Sequence, residues 1–134
     1  AVVFDDYAHH PTEITSTLNS AVNMEFDRIF CVFQPHTYSR TKELFEDFVA
    51  SLSHEGIHKV LLAEIYSARE TDTRGVSSAM LAEQIRSRGI VCQCCPTFED
   101  IVRTLKEETA KGDMILIMGA GDIAKFADSV AEKA

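Results

Sequence analysis

Short β-prone runs alternate with helical stretches five times along this chain, and that rhythm restricts the possible folds more than any other feature. Parallel strands need a crossover of about a dozen residues or more, usually a helix, so the alternation predicts an α/β domain built on a parallel sheet. Strands are expected at residues 1–4, 28–33, 59–65, 90–95 and 114–118. These runs are apolar almost throughout, as strands covered on both faces should be.

The intervening segments carry helical periodicity. Ile14, Leu18 and Val22 recur every four residues after Pro11, and Leu44, Phe45, Phe48, Val49 and Leu52 form a wider stripe in the second helix. A third helix carries Met80, Leu81 and Ile85 and ends near Gly89. A fourth starts at Thr97, with Asp100 as a capping-box variant, and ends near Gly112. The last begins after Asp122 and is expected to bury Ile123, Phe126, Ala127 and Val130. No internal repeat, low-complexity tract or linker divides the 134 residues, which fit a single domain spanning 1–134.

Charge and composition remove several functions. Lys and Arg number 13 against 21 for Asp and Glu, a net charge of -8, and no basic cluster exceeds two residues, which argues against a nucleic-acid partner. No apolar run approaches the ~18 residues that span a membrane. An anionic small molecule stays compatible with the acidic balance, because a few local cations outweigh distant charges that solvent and salt screen. The chain opens in an apolar strand without the pattern of a signal peptide, so it is expected to be cytosolic or cut from a longer protein.

Cys31, Cys92, Cys94 and Cys95 lie in or beside strand-like runs, and free buried thiols are the expectation. Cys92 and Cys95 have redox-motif spacing, but that motif normally opens a helix, whereas here Pro96 closes a strand.

The crossover rule places the ends of the strands on one edge, where ligands of open α/β sheets bind. The loops that should gather there are 5–11, 34–41, 66–76 and 119–122. The first, Asp5-Asp6-Tyr7-Ala8-His9-His10-Pro11, packs two carboxylates, a phenol and two imidazoles into one strand-to-helix corner. In the second, Gln34-Pro35-His36-Thr37-Tyr38-Ser39-Arg40-Thr41, His36 and Arg40 would meet that corner if the first two strands are neighbours. Arg offers a rigid donor fork for a carboxylate or phosphate and His exchanges a proton near neutral pH, so the set suits an anionic ligand with a second polar group. Spacing alone leaves open that Arg40 is a solvated first-turn residue and His36 a helix-entry residue.

Asp5, Asp6, His9 and His10 are chemically suited to a metal, but no standard ligand spacing supports one, and none is expected. One of the aspartates is expected to cap the helix at Pro11. Gly119-Ala120-Gly121-Asp122 lacks one fingerprint glycine of a phosphate loop and reads as a tight turn allowing close backbone approach. There is no Gly-Lys pair for a nucleotide P-loop and no Gly-x-Ser-x-Gly elbow, so autonomous nucleophilic catalysis has little support.

Taken together, residues 5–13, Phe33-Gln34-Pro35-His36-Thr37-Tyr38-Ser39-Arg40-Thr41 and Gly119-Ala120-Gly121-Asp122-Ile123 closely resemble the C-terminal domain of the Mur ligases, over essentially the whole chain. The second motif favours the alanine-adding member over the murein tripeptide ligase. The resemblance implies a Rossmann-like three-layer domain with a mostly parallel five- or six-stranded sheet. It also implies a cytoplasmic enzyme of peptidoglycan synthesis that joins L-alanine to UDP-N-acetylmuramate through an acyl phosphate, using ATP and magnesium held mainly by a central domain. By the same resemblance Asp6 would contact the ATP ribose, Tyr7, His9, His36 and Arg40 would line the alanine pocket, and Arg40 would hold the alanine carboxylate. These are positioning roles, and the 134-residue chain alone is expected to be inactive.

Two rivals stand beside this reading. An acidic pair after the first strand resembles a phosphoacceptor receiver, although the lysine such domains carry after strand five is missing from 118–121. The other is a plain interaction module, for which nothing in the helices speaks.

Overall fold

The computed structural model describes residues 1–133, with side chains through residue 130. Five strands, β1 (Val2–Asp6), β2 (Ile29–Phe33), β3 (Lys59–Ala63), β4 (Cys92–Cys95) and β5 (Met114–Met118), form one sheet in the order β1-β5-β2-β3-β4, and every pairing is parallel. Six helices connect or follow them: α1 (Pro11–Val22), α2 (Tyr38–Glu43), α3 (Phe45–Leu52), α4 (Ser78–Ser87), α5 (Phe98–Glu108) and α6 (Ile123–Lys133).

Alternation along the central strands divides the core between two faces of the sheet. Cys31, Phe33, Val60, Leu62, Leu116 and Met118 face Ile14 and Leu18 of α1, Phe48 and Leu52 of α3, and Leu81 and Ile85 of α4. Phe30, Val32, Leu61, Ile115 and Ile117 face Ile101 and Leu105 of α5 and Ile123 and Ala127 of α6. The result is the expected three-layer α/β arrangement, with five strands.

Several expectations are corrected. β1 and β2 are not neighbours: β5 lies between them, because the return from β4 runs back over the other face and inserts its strand there. β1 extends two residues beyond the expected 1–4, so Asp5 and Asp6 are strand residues paired with Ile117 and Met118. As an edge strand it is largely exposed, unlike the fully buried β2 and β5. β3 and β4 are shorter than expected, and Val91 is exposed.

The single helix expected after β2 breaks at Leu44, whose φ of -106° and ψ of 20° leave the helical region, so the 34–41 loop already contains the first turn of α2. Met80 faces solvent, while Leu81 and Ile85 of the same helix are buried. α5 ends at Glu108, earlier than Gly112, although Thr97 does cap its start through a hydrogen bond from Asp100 N.

All four cysteines are free. Cys92 packs on one face of the sheet and Cys95 on the other, because residues three apart in a strand point oppositely, so they cannot bridge. Burial pushes the Cys92 thiol up to about 12 and the Cys95 thiol to about 11, which leaves negligible thiolate at neutral pH. Cys94 is only partly buried, against expectation.

Candidate functional site

β1, β5 and β2 end level with one another: Asp6 is opposite Met118, and Met118 is opposite Phe33. From that line α1 and α2 leave β1 and β2 towards one side and α6 leaves β5 towards the other, which opens a crevice beside β5. β5 runs into Gly119-Ala120-Gly121, where no side chain is larger than a methyl. The loops flanking it can therefore approach each other over the end of the strand they do not share.

They do approach. The His9 and His36 rings lie with centroids 6.3 Å apart, and Tyr66, from the loop after β3, lies 5.4 Å from His36 on a second side. The Arg40 guanidinium is close enough to contribute to lowering the proton affinity of His36. Burial is the largest cause of that lowering, with Arg40 and His9 adding to it and Glu70 opposing, so His36 is neutral at physiological pH. Its Nδ1 is buried without a hydrogen-bond partner among the described residues. A native structure rarely leaves such an atom unpaired unless a ligand, water or ion serves it.

The first loop is built to aim His9. Asp6 Oδ1 accepts from Ala8 N at 2.8 Å, which turns the chain out of β1. The Tyr7 carbonyl accepts from His9 Nδ1 at 3.0 Å, so that nitrogen carries the proton and Nε2 is left as an acceptor in the neutral ring. The α1 cap is His10, against the expectation of an aspartate: its Nδ1 accepts from Thr12 N at 3.3 Å, and Glu13 Oε1 accepts from His10 N at 3.1 Å. The adjacent imidazoles thus diverge, one to the helix and one to the crevice. Tyr7, from the same loop, is 67% exposed.

The second loop is held by the third. Thr37 N donates to the Tyr66 carbonyl at 2.7 Å and Tyr66 N to the Pro35 carbonyl at 2.9 Å, which continues the β2–β3 pairing beyond both strands. Thr37 caps α2 with a φ of 64°, a region a β-branched side chain enters at a cost of about 1–3 kcal/mol. Its Oγ1 accepts from Arg40 N at 3.3 Å and its carbonyl from Thr41 Oγ1 at 2.7 Å. None of the ion pairs among the described residues engages Arg40.

Sequence reasoning missed Gln34, Tyr66 and Glu70. Gln34 is 4% exposed; its Nε2 donates to the Glu64 carbonyl at 3.2 Å and its Oε1 accepts from Ile123 N at 3.1 Å. It thereby serves the first N–H of α6 and ties that helix to the ends of β2 and β3, and Asp122 leaves that N–H alone. No spacing signal marks these contacts, since each depends on which strands are neighbours. The close approach expected at 119–122 is present: a Cβ at Gly121 would lie 2.7 Å from both Gln34 Oε1 and Tyr66 Cγ. Gly121→Ala should lower stability by about 1–3 kcal/mol through that overlap, seen as a fall in melting temperature. An unchanged melt would mean that the turn can shift freely.

Comparison with known proteins agrees with this architecture. The family model described as Mur ligase, glutamate ligase domain, matches residues 1–121. The chain is 52% identical over 130 residues to UDP-N-acetylmuramate--L-alanine ligase of Clostridium novyi, covering 97% of this chain and 28% of that protein. It is 55% identical over 126 residues to the enzyme of the same name from Clostridium tetani, covering 94% and 27%. The chain thus spans little more than a quarter of the length of these relatives. Among solved structures, UDP-N-acetylmuramate-alanine ligase of Thermotoga maritima superposes with a TM-score of 0.72 at 24% identity, over 97% of this chain and 26% of that one. A murein peptide ligase from Psychrobacter arcticus gives 0.67 at 23%, over 98% and 28%. At these identities the structures speak for the fold alone. The family match carries the classification, sets the receiver reading aside, and agrees with the arrangement of strands, helices and loops described above: the chain belongs to the Mur ligase family, as its glutamate ligase domain.

Proposed function

We propose that this chain is the amino-acid-binding, cleft-closing C-terminal domain of a cytoplasmic ligase that joins L-alanine to UDP-N-acetylmuramate in peptidoglycan synthesis. The observation that carries the reading is the buried Nδ1 of a neutral His36, without a partner among the described residues, beside His9 and an Arg40 that no carboxylate among those residues engages. Alanine presents what those groups lack: a carboxylate for the guanidinium fork and an amine whose protons an imidazole accepts. Relatives above 50% identity that bear the alanine ligase name support the choice of amino acid.

ATP with magnesium supplies the phosphoryl group that activates the acceptor carboxylate. Asp6 fits a ribose contact from this side of the cleft, because Ala8 N occupies Oδ1 and leaves Oδ2 to accept a hydroxyl. Magnesium is assigned to the parts of the full-length protein outside this chain. Orienting the amine towards the activated carbon is the work assigned to His9, His36 and Arg40, and such positioning is worth several kcal/mol, up to about 7–11. Tyr7, exposed here, would border the same pocket when the cleft closes.

The test is phosphate release by the full-length protein with ATP and UDP-N-acetylmuramate, with L-alanine or a murein tripeptide as the amine. Release that depends on alanine is expected. Dependence on the tripeptide would transfer the chain to the tripeptide ligases, and alanine-dependent release by the 134-residue chain alone would overturn the assignment of a positioning role.

A further inference from the structure

The contact that fastens the second loop comes from a residue the alanine-site reading does not use. Glu70 lies in the segment between β3 and α4, where Ala68 and Arg74 both hold positive φ, 55° and 54°. Its Oε1 accepts from Tyr38 N at 2.5 Å and from Ser39 N at 3.2 Å. Its Oε2 accepts from Ser39 N at 3.3 Å and also from the Ser39 hydroxyl. Both oxygens are thus occupied from within the chain, which leaves no role for Glu70 as a direct ligand of substrate. The Ser39 hydroxyl, chiefly, and the two backbone donors hold its carboxyl below the usual range, so it is an anion throughout the working range of pH.

The two backbone donors are the first residues of α2, immediately after Thr37 and directly before Arg40. α2 has six residues, too few to hold a helical geometry by its own hydrogen bonds. Its first turn stays in place because Glu70 satisfies N–H groups that have no partner within the helix, opposite the unfavourable backbone of Thr37. His36 precedes that turn and Arg40 ends it.

We infer that Glu70 is a positioning residue for amino-acid binding: by clamping Tyr38 and Ser39 it sets the direction of the Arg40 guanidinium and the seat of His36. The inference rests on the alanine-site reading. It makes the segment after β3 part of the recognition apparatus, although that segment contributes no direct ligand contact.

The experiment uses the full-length protein carrying Glu70→Ala, Glu70→Gln, Ser39→Ala, Arg40→Ala and the Glu70→Ala/Arg40→Ala pair. It measures kcat and the KM values for alanine, ATP and UDP-N-acetylmuramate. Glu70→Ala should raise the alanine KM about tenfold to a hundredfold, the scale of an ångström-sized misplacement, while the other two KM values hold. Glu70→Gln keeps an acceptor for the backbone donors and should recover most of the loss; Ser39→Ala should show a smaller rise. Once Arg40 is gone, adding Glu70→Ala should raise the alanine KM by a smaller factor than it does in the wild type, since the part of the clamp's effect that runs through the guanidinium is already lost and only the part through His36 remains. An alanine KM unchanged in Glu70→Ala but raised in Arg40→Ala would overturn the inference and keep the reading. Three KM values moving together would show a structural role only and would also overturn it. If neither variant moves the alanine KM, the reading itself fails and the inference with it.

Discussion

Arg40→Ala in the full-length protein should raise the KM for L-alanine about 30- to 150-fold, the equivalent of about 2–3 kcal/mol for a charge-assisted pair of hydrogen bonds. The guanidinium has no carboxylate partner among the described ion pairs, so removing it breaks no ion pair of the chain, and the loss should appear in ligand affinity with little loss of stability. kcat should fall as well, because an alanine held only through its amine is poorly aligned for attack. Arg40→Lys should restore part of the affinity: the charge returns, but a point charge replaces a planar fork. An alanine KM within error of the wild type would remove the carboxylate-binding role and leave a plain interaction module as the better account.

The largest expected effect on stability lies at the opposite edge of the sheet. Asp113, 1% exposed at the start of β5, accepts from Arg28 Nη2 at 2.6 Å and from Arg28 Nε at 3.2 Å, and its Oδ2 also accepts from Ala110 N at 2.8 Å. Arg28 donates further to the Glu108 carbonyl at 3.0 Å, so one ion pair fastens β2, the end of α5 and the turn into β5. Asp113→Ala leaves the Arg28 guanidinium without its carboxylate, bonded only to the Glu108 carbonyl, and the Ala110 N–H unpaired, and should destabilise by about 2–4 kcal/mol, less than a fully buried pair because Arg28 remains partly exposed. For a domain of this size that is a fall of about 8–15 °C in melting temperature.

Acid should have a related effect. Arg28 first, and Ala110 N with it, hold the Asp113 carboxyl below the usual range against the opposing effect of burial. Because its folded pKa is lowered, its contribution is fully present above the unfolded value of about 3.9 and is lost as pH falls through the folded value. Stability should therefore drop below about pH 4, and Asp113→Asn should flatten that drop. Glu13, Glu70 and Asp100 are lowered as well and should keep part of the slope. A variant with the wild-type melt at pH 7 would show that Arg28 finds equivalent partners.

Local structure that rests on chemistry within a few residues is legible in the chain. Pro11 opens α1, Thr97 caps α5, and the apolar runs at 28–33 and 114–118 are the buried central strands within one residue. Where a competing local interaction was stronger, the reading failed. His10 with Glu13 formed the cap assigned to an aspartate, and Leu44 broke the helix that an unbroken apolar stripe suggested.

The residues of the site were visible as a crowd of His, Asp and Arg at strand ends, but the reason they meet was not. They were expected to meet because β1 and β2 would be adjacent. They meet although β5 separates those strands, because β5 ends in a turn without bulky side chains. Sequence order carries no information on which of five parallel strands is inserted between two others. That choice follows from how helices on two faces cover the sheet.

By itself, then, the sequence determined the class of fold, the edge at which chemistry gathers and the ionisable groups that supply it, since each follows from periodicity and local composition. Only the tertiary structure decided that Gln34, Tyr66 and Glu70 belong with them. Hydrogen bonds such as Gln34 Oε1 with Ile123 N, 89 residues apart, exist only once strand order has brought their partners together.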